Sequence, residues 1–322
     1  MNAAIRHRRA VATARFAQAE PTSLVSLWLG AAVLLVPQLL FGPSRIESIV
    51  LAAAPLLIVP LVCDQLRTSA APFAIWQPPR WATFFAASLA AVAVALNSGW
   101  QAAIIALPWT LLTVTFAAAN CLRMRKFHAS SAQPLLSIAA VLFLAVGGLW
   151  LFASCAGADP FGFGEPIVRL TAVHFHYAGF VLTAIAARIA QWFARPAVTT
   201  TMFAVFAGIP FVALGITLRS PAWELAATLL LASAAITLAV LQLVAAVQSR
   251  NPQALALLGI ASVSLCTAMV LAFLYAFGRF RDSPMLDIPT MIATHGLLNA
   301  VGFSLFGLLG WRCIDRSRNR EL

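Results

Sequence analysis

Three of the five histidines fall inside long apolar runs: His174 and His176 in LTAVHFHYAGF (170–180), and His295 in ATHGLLNAVGF (293–303). An ionisable side chain at membrane depth is costly, and it marks either ligand, metal or proton chemistry or an interhelical hydrogen bond. Neutral imidazole is the commonest metal ligand, and it titrates near physiological pH. Spacing restricts what the three can do together. Residues two apart on a helix point about 200° apart, so His174 and His176 cannot both face one small ion. One of them can pair with His295. The other then serves a second cofactor across the helix or a polar neighbour. Softer candidates stand nearby. Asn299, one turn beyond His295, and Thr171, one turn before His174, are spaced to orient an imidazole or bind a polar ligand. Tyr177 reads first as a packing residue, and Trp150 as core or as a wall of the site. Asp159 and Glu165 in GADPFGFGEP, with Asp282 and Asp287 before the last run, are solvated loop acids or the lining of a cation entrance. His7 and His128 lie in basic segments and read as solvated.

The elements that position these residues follow from composition. Of 322 residues, 61% are apolar and 10% charged, against about 25% charged in soluble domains. The mean hydropathy is +0.90. A water-soluble fold cannot hide that much apolar surface, so soluble enzymes, nucleic-acid binders and disordered scaffolds are excluded. The net charge of +11 does not reverse this. Its basic residues sit between apolar runs, as topology signals do, and not on one phosphate-binding face. The five cysteines show no C-x-x-C spacing and read as small packing residues.

A bilayer core needs about 20 apolar residues per helix. On that ruler the chain offers ten runs: 23–42, 46–63, 81–99, 101–122, 134–155, 166–193, 201–218, 222–247, 253–278 and 288–312. Turn chemistry separates them, at Gly42-Pro43, Asn97-Ser98-Gly99, Asp159-Pro160, Ser220-Pro221, Asn251-Pro252 and Ser283-Pro284. The runs are continuous, without the alternation of membrane strands. The expected fold is an all-α polytopic transmembrane bundle of about ten helices. A basic tail (1–22) precedes a single membrane domain (23–312), and a second basic tail (313–322) follows it. The run 24–41 is longer than a usual signal-peptide core, and no A-x-A site closes it; an organellar transit peptide is the minor alternative.

With the N-terminus inside, 16 basic residues fall on the cytoplasmic side and 5 outside. That asymmetry predicts a bacterial inner (cytoplasmic) membrane protein with both termini cytoplasmic. Trp28, Trp81, Trp100, Trp192, Trp223 and Trp311 lie near run ends and read as interfacial anchors. Two five-helix halves would be inverted relative to each other, as in many transporters, but no residue correspondence links them. Depth unites the histidines: His174 lies about 12 Å below Pro166 and His295 about 10 Å below Ile288, at about 1.5 Å per residue.

At LTAVHFHYAGF and THGLLNAVGF the chain resembles the YndJ-like family of bacterial polytopic membrane proteins, across most of the C-terminal half. That resemblance implies a membrane bundle with a provisional transporter label. The segment TAVHFHYAGF is also similar to the H-x-H helix of the catalytic subunit of haem–copper oxidases and nitric oxide reductases. In those proteins the two histidines ligate two haems from opposite sides of one helix. The likeness implies axial ligation by His174 and His176, with His295 opposing. The chain departs from that pattern in lacking a His-His pair for copper and in having too few histidines for an oxidase centre. One bis-His or single-His haem, or one transition metal, remains.

Three functions are open on this reading. One is a haem or metal site for redox chemistry or sensing. The second is a transporter of a small solute, or a proton-coupled permease, with Pro37, Pro55, Pro60, Pro108 and Pro210 available to break helices; the absence of acids from the span interiors counts against it. The third is an intramembrane lipid or isoprenoid enzyme using histidine as acid–base. Partners are the bilayer itself and a small-molecule, quinone or lipid ligand. No Walker loop, nucleophile elbow or H-E-x-x-H occurs.

Overall fold

The structure is a computed structural model and describes residues 46–68, 75–125 and 132–320. The expected first helix (23–42), the basic tail 1–22, His7, His128 and Trp28 lie outside the described residues. Among the described residues there is no strand, and nine helices follow the runs read from sequence: α1 (Ile46–Arg67), α2 (Arg80–Ala95), α3 (Trp100–Met124), α4 (Ala132–Ala156), α5 (Glu165–Phe193), α6 (Pro196–Thr217), α7 (Pro221–Gln248), α8 (Pro252–Phe280) and α9 (Ile288–Arg318). Eight are long and apolar enough to cross a bilayer. The exception is α2, whose 16 residues reach only about 24 Å against a hydrocarbon core of about 30 Å. The sequence extends this run to Gly99, but the chain turns extended at Leu96, ahead of the Asn-Ser-Gly turn.

Proline and small polar caps start the helices, as their chemistry requires. Ser220 accepts from Trp223 N–H ahead of α7, and Asn251 accepts from Gln253 and Ala254 N–H ahead of α8. The last helix does not stop at 312. Its final segment, Phe306–Arg320, continues as an arginine-rich extension, and Arg318 lies 3.9 Å from the ring centre of Trp192.

Successive helices pack side by side, and α5 is the centre of the bundle, touching α1, α4, α6 and α9. Glycines permit the close approaches, as small residues do between membrane helices. A Cβ on Gly147 of α4 would sit 2.8 Å from His176 Nδ1, and one on Gly179 of α5 would sit 2.8 Å from Phe143 Cβ.

Three helices carry wide π-type turns: α1 at Ala54–Ile58, α5 at Phe175–Leu182, and α9 at Ile292–Gly296 and Leu298–Leu305. In α1 the turn contains Pro55, which has no N–H to give, and the Val50 carbonyl takes the Tyr177 hydroxyl instead at 2.9 Å. The other turns adjoin or contain the histidines.

One sequence expectation is corrected here. Trp81 and Trp100 are 75% and 70% exposed, as interfacial anchors should be, but Trp311 is fully buried. Its indole packs edge-on against Trp192 at 5.5 Å and donates to Gln242 Oε1 at 3.2 Å. A run end in sequence is not a bundle end when the helix continues.

Candidate functional site

His174 and His295 come together. Their ring centres are 6.2 Å apart and their planes lie 24° from parallel. Backbone carbonyls, which only accept, fix both tautomers. His174 Nδ1 donates to Leu170 O at 2.9 Å within α5, and His295 Nδ1 donates across to Ala268 O of α8 at 2.8 Å. Both rings therefore carry their lone pair on Nε2. Asn299 Nδ2 caps the His295 Nε2 at 3.1 Å and also reaches the His295 carbonyl at 2.9 Å. His174 Nε2 has no hydrogen-bond partner among the described residues.

His174 is exposed to a chamber of about 380 Å³, and both histidines line it. Around them stand Trp150, Phe161, Phe163, Phe175 and Tyr275, with aliphatic residues of α5 to α9. The chamber lies at the end of the bundle that carries the loops 157–164, 218–220 and 281–287. It also holds an acid where the sequence reading found none inside a span. Glu224, one turn into α7, is 3% exposed and pairs with Arg279 of α8 at 3.4 Å. Gly215 makes room for it, since a Cβ there would lie 2.8 Å from the Glu224 backbone. The Ser220-Pro221 turn was the available signal: it starts α7 early and carries Glu224 into the helix.

His176 is turned away from this chamber. It is fully buried, donates from Nδ1 to Ala172 O at 2.8 Å, and accepts at Nε2 from Trp109 Nε1 at 3.2 Å. Both ring nitrogens are occupied, and α4 closes over the ring at Gly147. A cofactor on each side of α5 therefore does not fit these residues. Trp109 was overlooked in the sequence, although depth points to it. It lies about 13 Å from Trp100, and His176 about 15 Å from Pro166, at about 1.5 Å per residue.

The softer candidates divide. Trp150 walls the chamber and packs on Phe161 at 5.9 Å. Thr171 lines it too, but its hydroxyl donates to Ile167 O at 2.7 Å and does not orient His174. Tyr177 is buried and donates to Val50 O, and it does not itself line the chamber. Glu165 pairs with Arg169 at 2.5 Å, and that arginine also reaches Ser48 and Ser154, joining α1, α4 and α5. Asp287 caps α9 by accepting from Thr290 N–H at 2.8 Å. Among the described residues no group of three or more His, Cys, Asp and Glu side chains is arranged to hold a metal ion.

A model of the family described as YndJ-like protein matches residues 49–303, which include every residue of α5, both imidazoles of the chamber, Glu224 and Arg279. The chain belongs to the YndJ-like family. It is 30% identical over 212 residues to the Uncharacterized membrane protein YndJ of Bacillus subtilis (strain 168). That match covers 65% of this chain and 38% of the relative, so the chain matches well under half of that relative's length. No solved structure matches it.

One loop of this YndJ-like chain shapes the chamber's end. Gly157, Gly162 and Gly164 adopt positive φ values of 71°, 67° and 87°, which side chains resist. The Asp159 carboxylate accepts from Phe163 N–H at 2.9 Å and Gly164 N–H at 2.8 Å. Arg219 lies over Phe163 at 5.5 Å. The N–H groups of Gly164 and Phe163 hold the Asp159 pKa below the ordinary carboxylate value. A depressed folded-state pKa means that this contribution is complete above the unfolded value, about 4, and is lost only as pH falls through the lower folded one. Limited proteolysis within 157–164 should therefore stay slow from neutral pH down to about 4 and accelerate only in stronger acid. Asp159→Ala should be cleaved faster throughout; equal rates for the two proteins would refute the cap.

Proposed function

We propose that this multi-pass membrane protein binds a small, largely apolar molecule in the chamber, through a hydrogen bond donated by the ligand to His174 Nε2. The observation that carries the reading is the open acceptor nitrogen of a chain-fixed tautomer, facing an apolar chamber of about 380 Å³. Ligand pockets have this size and makeup: mainly apolar walls with a few placed polar groups. We read the activity as movement of such a solute into or across the bilayer. The two helices that carry the site, α5 and α9, are both interrupted by wide turns there, and interrupted helices are how many carriers place polar groups beside a ligand. The arginine asymmetry supports placing the chamber on the outer side of a bacterial inner membrane, with both termini cytoplasmic.

The test is calorimetric binding of 1-naphthol to the detergent-purified chain. His174→Phe keeps a ring and removes the acceptor, and it is expected to weaken binding at least tenfold. Unchanged affinity would sink the reading.

A second reading keeps one metal or haem between His174 and His295. It is favoured by their 6.2 Å ring separation, near what two imidazoles span across one ion at about 2 Å per bond. It requires Asn299 to release the His295 Nε2. A Soret band or one equivalent of metal in the purified chain, lost in His295→Ala, would establish it. A colourless, metal-free protein from cells supplied with haem and metals would remove it.

A further inference from the structure

The next inference rests on the chamber reading and concerns the charge of the ligand. The charged groups of the chamber and its open ring nitrogen together favour a hydrogen-bond donor that carries positive charge. Both imidazoles spend their N–H on backbone carbonyls, which leaves His174 Nε2 as the open ring nitrogen. Two carboxylates, Glu47 and Glu224, are among the described lining residues, against one guanidinium, that of Arg279. Arg279 is already engaged by Glu224 at 3.4 Å, yet the Glu224 Oε2 there is buried and accepts no hydrogen bond. Two carboxylates against one guanidinium leave the described lining one acid in excess, and in a site shielded from water that excess favours a cation.

The walls agree with the polar groups. Trp150, Phe161, Phe163, Phe175 and Tyr275 give the chamber an aromatic lining, and ring faces attract organic cations. The loop already shows this preference, with the Arg219 guanidinium over Phe163. An anionic ligand such as a carboxylate would meet two carboxylates and a bare imidazole lone pair, with the guanidinium of Arg279 already paired to Glu224.

We propose that the chamber selects an apolar organic amine in its ammonium form, with the N–H donating to His174 Nε2, the carboxylates of Glu224 and Glu47 balancing the charge, and the hydrocarbon part against the aromatic wall. No bond is made or broken.

Three probes of one shape separate the alternatives: 1-naphthylmethylammonium, 1-naphthol and 1-naphthoate, titrated at pH 7 into the full chain in detergent. The amine is expected to bind at least tenfold tighter than naphthol, and naphthoate at least tenfold weaker. Glu224→Gln should narrow the amine-to-naphthol ratio at least threefold, with Glu47→Gln as the second variant if the first does not fold. The inference is overturned if naphthoate matches or beats the amine, or if the amine shows no advantage over naphthol in the unaltered chain. Naphthol binding that depends on His174 without an amine preference removes this inference alone. Absence of binding by all three removes the chamber reading as well.

Discussion

Arg188→Ala is expected to destabilise the bundle by about 3 kcal/mol, the lower end for breaking a buried ion pair. Arg188 is 7% exposed. Its guanidinium joins Asp315 and so ties the middle of the protein, α5, to the far end of α9. The same guanidinium lies 5.3 Å from the centre of the fully buried Trp311 ring. From that indole a polar chain continues: to Gln242 of α7, from Gln242 to Ser262 of α8 at 3.3 Å, and from Ser262 to Ala239 O at 2.9 Å. Alanine removes the cation from a poorly hydrated carboxylate and from the indole at once. Thermal denaturation in detergent, monitored by tryptophan fluorescence, reads the loss. The charge-free double change Arg188→Met with Asp315→Leu should recover most of it, because apolar residues of similar volume replace a buried pair at little cost. A double variant no more stable than Arg188→Ala would mean that geometry around Trp311, and not the broken ion pair, carries the effect.

Trp109→Phe is the second large effect. The substitution deletes the one donor to His176 Nε2 among the described residues, in a fully buried position. An orphaned buried acceptor costs about 1–3 kcal/mol. A neutral ring flip offers no escape, since Nδ1 holds Ala172 O and Gly147 leaves no spare room beside it. Adding His176→Leu to Trp109→Phe removes the orphan and should restore part of the stability. Naphthol affinity should stay within about twofold in the folded Trp109→Phe protein, because His176 faces away from the chamber. A binding loss as large as that of His174→Phe would instead make His176 part of the binding site.

Much of this was legible in residue pattern. Apolar run lengths and turn residues gave seven of the nine described helices their approximate bounds, because a bilayer fixes helix length more tightly than any soluble core does. The two-residue spacing set His174 and His176 on opposite sides of their helix, and the depth arithmetic put all three histidines at one level without telling which of the two meets His295. Partners were harder to read, since hydrogen bonds across helices leave no periodic trace. Trp109, Glu224 and Arg279 each sit on a different helix from the histidines. Thr171 was placed correctly on its turn, but an i−4 carbonyl claims its hydroxyl, a local competition common for threonine in helices. Trp311 and the short α2 failed for a third reason: the end of an apolar run and the end of a helix are different events.

The measurement nearest the central claim asks which histidine faces the chamber. With Cys63, Cys121, Cys155, Cys266 and Cys313 replaced by alanine, His174→Cys and His176→Cys are each treated with a small water-soluble methanethiosulfonate. The cysteine at 174 is predicted to react at least tenfold faster than the one at 176, because position 174 lines the chamber and position 176 is fully buried. Equal rates at the two positions, or a faster reaction at 176, would contradict the account.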